Sequence, residues 1–141
     1  MPRAARRPAP GFTLVELCVV LAVAGVLATI AWPAYQSQMQ RGRRADAVAA
    51  LLRLQLAQES YRAHHGLYAS QLGVLVGAAV PRSSDGLYDI ELIDAGGDRY
   101  EARATARAGS VVAGDTGCTV LSLQVREGLA DFAPSPRCWN R

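Results

Sequence analysis

The 141-residue sequence is poor in the groups from which active sites are made. It carries two histidines and three cysteines. It has no Gly-rich phosphate loop leading into a helix, no nucleophile elbow and no cysteine pair at metal spacing, which removes the usual routes to nucleotide binding, acyl transfer and structural zinc. His64 and His65 are adjacent at a helix end, so their side chains diverge by about 100° and read as solvated residues rather than a shared metal site. The acids Asp85, Asp89, Glu91, Asp94 and Asp98 gather near two strands and a turn, where a calcium loop is the weaker reading. No enzymatic activity and no cofactor is expected.

An excess of one charge is missing as well. The formal net charge of +3 is supplied by Arg3, Arg6 and Arg7 alone, and without the first eleven residues the chain is neutral. Overall basicity therefore gives no sign of a polyanionic partner.

What the chain does have is a long apolar run. From Phe12 to Trp32 it extends about 31 Å at helical rise, enough to span a hydrocarbon core. The leader before it, MPRAARRPAPG, is basic and Pro-rich. A secretory signal would end in a small-residue cleavage site, but the sequence continues as WPAYQSQMQRGRRADAV with helical character, so the span should stay on the mature protein. Within it sits one acid, Glu16, and a charge in such a place is first of all a hypothesis about function.

Cysteine context divides the three residues. Cys18 lies inside the apolar run and reads as a small hydrophobe. Cys118 and Cys138 lie in soluble sequence and would close a loop of about twenty residues, stabilising the fold by roughly 3 kcal/mol if oxidised. Oxidation needs a compartment outside the cytoplasm; the alternative is two buried thiols in a cytosolic domain. Arginines flank the span almost equally, Arg3, Arg6 and Arg7 before it and Arg41, Arg43 and Arg44 after it, so charge alone barely orients it. The cysteine pair favours a cytoplasmic N-terminus and an external C-terminal domain.

The hexapeptide Gly11-Phe12-Thr13-Leu14-Val15-Glu16, with a basic leader before it and an unbroken apolar span after it, resembles the start of a type IV prepilin. The resemblance implies cleavage by a prepilin peptidase between Gly11 and Phe12 on the cytoplasmic side, with N-methylation of Phe12. It implies three regions: a cleaved leader (1–11), a transmembrane and filament-core helix (12–33) and a globular headgroup domain (34–141). In a filament the Glu16 carboxylate of one subunit would meet the methylated ammonium of another, which offsets much of the cost of burying either charge. An acid that merely frays the helix end is the plainer alternative.

The resemblance implies, and the rest of the chain suits, an α+β type IV pilin fold: a long N-terminal helix whose first half projects and whose second half packs on a three- or four-stranded antiparallel sheet, with a C-terminal disulfide-bonded loop. Pro33 sits in a helical pattern and predicts a kink. If the helix continues to about His65 it is some 80 Å long, more than a small globule covers, so its first half must project. Ala47, Ala50, Leu51, Leu54, Ala57, Gln58 and Tyr61 make one stripe, expected to bury against a sheet. Val48, Leu52 and Leu56 make a second, expected to rest on loops of the same domain in preference to adjacent subunits. Gly66 reads as a C-cap, and residues 69–84 as a loop with a short helical turn. LYDIELID, a Gly96-Gly97 turn and RYEARATAR form a hairpin, and CTVLSLQVRE gives a third strand. The Pro-rich C-terminal segment shows little periodicity and reads as a loop tied down by Cys118 and Cys138, with Trp139 packed over it.

Tyr61, Gly66 and Tyr68 also match a pattern common in pilin-like sequences, and GLYDIEL with Cys118 and Cys138-Trp139 is most similar to PilE-type minor pilins. The family implies other pilins, the pilus assembly machinery and inner-membrane lipid as partners. The competing functions are a pseudopilin of type II secretion and a DNA-binding pilin. For the latter, Arg99, Arg103 and Arg107 share a strand face and would form a basic stripe with Arg137 or Arg141, although Glu101 interrupts it.

Overall fold

The computed structural model describes residues 12–75 and 81–141. The leader, including Gly11 of the expected cleavage pair, lies outside the described residues. The chain divides into two compact units between Ser37 and Gln38.

Helix α1 runs from Leu14 to His65 and passes through Pro33 without interruption. Pro33 removes one intrahelical hydrogen bond, and the helix continues on both sides of it. In the first unit every described residue is exposed, Phe12, Leu14 and Ile30 being 87%, 78% and 71% accessible. A window of this helix has a mean hydropathy of 2.5 and is long and apolar enough to cross a membrane.

In the second unit α1 is amphipathic, and its buried stripe follows the 3.6-residue period. Ala47, Leu51, Leu54 and Gln58 are buried, and Ala57 and Tyr61 pack against the same core. The second face departs from expectation. Val48 packs against the core, but Leu52 is 38% and Leu56 is 71% exposed. Of the loop that follows the helix, Ala69 is clamped by Gln58 on the buried stripe, and Ser84 and Asp85 bond Arg53 and Asp46. The helix ends where expected: Gly66 has φ of 76° and its N–H donates to the Arg62 carbonyl, an αL cap that a Cβ would strain.

Four strands follow: β1 (Tyr88–Gly96), β2 (Arg99–Ala106), β3 (Val120–Arg126) and β4 (Leu129–Ala133). They form one antiparallel sheet in the order β1-β2-β3-β4. Alternation decides which face is inward. Tyr88 and Ile90, then Tyr100, Ala102 and Ala104, then Leu121, Leu123 and Val125 are all buried, and they meet across strands as Ile90↔Ala104, Ala102↔Leu123 and Tyr100↔Val125. Ala102 and Ala104 place small side chains at the inward positions of β2, opposite the larger Ile90, Leu121 and Leu123 of its neighbours.

Four strands is the upper count expected, and the fourth lies in the segment read as a loop. Glu127 and Gly128 have φ of 51° and 82°, the pair of positive angles that a two-residue hairpin turn requires. Its β4 residues Leu129, Ala130 and Asp131 are exposed, so no inward alternation marked the strand in sequence. A 3-10 helix at Leu72–Val74 supplies the short helical turn expected between α1 and the sheet. Pro81 and Ser83 cover the outer edge of β1, through Ile90 N–H to the Pro81 carbonyl (2.8 Å) and Ser83 N–H to the Tyr88 carbonyl (2.9 Å).

Candidate functional site

Phe12 and Glu16 open α1. Thr13 caps the helix: its hydroxyl oxygen accepts the Glu16 backbone N–H at 3.2 Å. The T-x-x-E spacing is that of a capping box, a signal the sequence reading did not use. Only half of the box is made. The Glu16 carboxylate has no ion-pair or hydrogen-bond partner among the described residues and stays exposed, one turn from Phe12. A carboxylate in the first turn is also favoured by the helix dipole.

The C-terminal segment is held to α1 at its Arg44 end. Cys118 and Cys138 are bonded, with a Cα–Cα distance of 5.4 Å, and Cys18 is free. The same corner contains an ion pair that sequence reasoning missed. Arg44 donates through Nε and Nη2 to the two oxygens of Asp115 at 2.5 and 2.6 Å, and through Nη1 to the Arg137 carbonyl at 3.3 Å. Arg44 and Asp115 are 3% and 7% exposed. The forked hydrogen bond from Arg44 holds the Asp115 carboxyl below the usual carboxylate range, and the same bond raises the Arg44 guanidinium. Asn140 donates to the Arg41 carbonyl at 3.0 Å, a second tie. Trp139 is buried, but its indole N–H donates to the Ala133 carbonyl and its ring meets Phe132 edge-on at 4.7 Å.

At the other end of the headgroup domain Gln58 is fully buried and clamps one residue of the following loop. Its amide donates to the Ala69 carbonyl and accepts the Ala69 N–H, both at 2.9 Å. Arg62 donates to the Tyr68 hydroxyl, which donates to Glu59, at 2.9 and 2.8 Å. The hydroxyls of Tyr88 and Tyr100 have no partner among the described residues, and burial pushes Tyr88 up to about 12 and Tyr100 higher. Both stay neutral, as core residues.

The expected basic stripe does not stand free. Arg99 pairs with Asp94 at 3.3 Å, Arg103 with Glu101 at 2.7 Å and Arg107 with Asp89 at 3.6 Å. Two of the five acids weighed for calcium, Asp89 and Asp94, are thus arginine partners. No group of three metal-binding side chains occurs among the described residues. His64 and His65 are exposed, each Nδ1 bonded to the carbonyl four residues earlier, and His65 stacks on Tyr61.

Residues 33–122 match the family model described as "Type IV minor pilin ComP, DNA uptake sequence receptor", and residues 6–32 match a prokaryotic N-terminal methylation motif. The chain belongs to the type IV pilin family. Its relatives include the type IV major pilin protein PilE of Neisseria gonorrhoeae, 35% identical over 78 residues, covering 55% of this chain and 46% of the relative. A fimbrial protein of Neisseria meningitidis serogroup A is 38% identical over 60 residues (43% and 35% of the two chains). Fimbrial protein EcpC of Eikenella corrodens is 51% identical over 37 residues (26% and 24%). The matched stretches span less than half the length of each of these relatives.

Proposed function

We propose that this pilin is a minor structural subunit of a type IV pilus. A prepilin peptidase removes residues 1–11 by cutting between Gly11 and Phe12, and Phe12 is N-methylated. The helix over 12–33 holds the protein in the inner membrane with the headgroup domain, 34–141, in the periplasm, and then packs among other pilins. The role is structural, with no catalytic step. The observation that carries the reading is Glu16: an exposed carboxylate without a partner, in the first turn of an otherwise apolar helix, inside a methylation motif. A buried charge must find a counter-charge, and the methylated ammonium of a neighbouring subunit supplies one.

The test is replacement of Glu16 by Ala. Membrane insertion and cleavage should be normal and the amount of subunit in sheared pili should fall at least tenfold. Undiminished incorporation removes the role. Mass spectrometry of the subunit from pili should show a chain that begins at methylated Phe12.

The disulfide supports the pilus reading over a secretion pseudopilin, because pseudopilins often have calcium loops in place of a C-terminal disulfide. Loss of pili, with protein secretion intact, is the expected phenotype of deletion. A second reading, DNA capture during uptake, is favoured by the match of residues 33–122 to a family model of a DNA uptake sequence receptor. Against it, Arg99 and Arg103 of β2 and Arg107 just after it are already paired with acids. A salt-sensitive gel shift with the full chain, weakened by Arg103→Ala, would support DNA binding, and no shift at low salt would end it.

A further inference from the structure

Five of the arginines in the headgroup domain are in ion pairs: Arg44, Arg82, Arg99, Arg103 and Arg107. Arg41, Arg43 and Arg137 are in no ion pair among the described residues; the backbones of Arg41 and Arg137 are bonded at the corner that holds Arg44, and Arg43 precedes Arg44 on the helix. Arg41 and Arg137 are exposed and Arg43 is half-buried. The Arg41 carbonyl accepts Asn140 and the Arg137 carbonyl accepts Arg44. None of the three guanidinium groups makes a hydrogen bond or ion pair among the described residues, and Arg137 acts on Asp115 through its charge alone. Asp115, the acid beside them, is taken by Arg44.

Their arrangement says what kind of anion they suit. At 100° per residue Arg41 and Arg43 lie about 200° apart around the helix but only about 3 Å apart along it. Arg44, to which the Arg137 backbone is bonded, points about 100° further round. The cations therefore surround the helix at one level, instead of running along one side as a stripe that tracks a nucleic-acid strand would. A ring at one level fits a plane. In sequence the ring follows directly on the apolar run, and Trp32 and Tyr35, the aromatic types that settle at a bilayer interface, come six to nine residues before Arg41.

We propose that Arg41, Arg43 and Arg137 form a cationic collar that binds the phosphate groups of anionic phospholipids and seats the headgroup domain on the bilayer before assembly. The inference rests on the membrane-inserted state in the proposed function. Each arginine near an anionic surface contributes about a fivefold preference. Withdrawal into a filament would have to break these contacts, so the collar sets how readily a subunit leaves the membrane.

Native mass spectrometry of the full chain, released from micelles holding equal phosphatidylglycerol and phosphatidylcholine, reads the preference directly. The unaltered protein should retain at least about fivefold more phosphatidylglycerol. R41Q/R43Q/R137Q should lower this to parity with an unchanged melting temperature, and R82Q/R99Q/R103Q, with the same charge change, should behave as the parent. If the triple variant melts early, single R137Q should still lower the ratio. Raising salt from about 50 to about 500 mM should also lower it in the unaltered chain. Parity in the unaltered chain, a preference that survives both R137Q and the triple variant or high salt, or displacement of the lipid by equimolar duplex DNA overturns the collar. Loss of the chain from bilayers on alkaline washing overturns the membrane reading and the collar with it, whereas retention without lipid preference overturns the collar alone.

Discussion

Arg44 and Asp115 show how much one buried pair can organise. Removing water from both charges is costly, and only the forked geometry and the extra bond to the Arg137 carbonyl recover that cost. Asp115→Ala, which strands the guanidinium, should destabilise the headgroup domain by about 3–5 kcal/mol in a denaturant melt. The pH dependence follows from the lowered Asp115 carboxyl. A carboxylate depressed in the folded state stabilises above its unfolded value of about 4, and that contribution is lost as pH falls through the lower folded value. Melting temperature should therefore fall in acid, and Asp115→Asn should flatten that slope while lowering stability at neutral pH. None of this was legible in the sequence. Arg44 read as one of three cations after a membrane span, and nothing local tells a buried arginine from its exposed neighbours when the partner lies 71 positions away.

At the level of elements, periodicity reported faithfully wherever one face is buried and the other wet. The α1 stripe, the cap at Gly66 and the core faces of β1, β2 and β3 were all readable for that reason. β4 was not, because an edge strand with Leu129 at 78% exposure has no inward set to alternate with. The Val48, Leu52, Leu56 face shows the reverse error: apolar spacing indicated a covered surface but not what covers it. Leu56 is 71% exposed among the described residues, so Leu56→Asp should change headgroup stability by no more than about 0.5 kcal/mol. If neighbouring subunits cover that face in a filament, the same substitution should reduce incorporation into pili, measured by immunoblot of sheared filaments against whole cells. Normal incorporation would leave Leu56 an ordinary exposed leucine.

For the whole molecule, the match to a methylation motif was legible at the N-terminal end, in one short stretch of sequence, and much less was legible in the second unit. The basic stripe on β2 was correctly placed on one face, yet its neutralisation depends on Asp94 and Asp89, which reach it through the register of β1 and β2. The disulfide acts over a similar range. Its two cysteines are 20 positions apart, so reduction should lower headgroup stability by about 3 kcal/mol, checked by melts with and without reductant. An unchanged melt would mean that Arg44, Asp115 and Asn140 hold the corner unaided.

The covalent ring closed by Cys118 and Cys138 encloses the whole of β3, its turn and β4. A protease that nicks the exposed Glu127–Gly128 bend would therefore sever the chain without releasing a fragment. Such a molecule should run as a single band on a non-reducing gel and as two once thiol is added, and a pilus weathered outside the cell would keep its cut subunits in place.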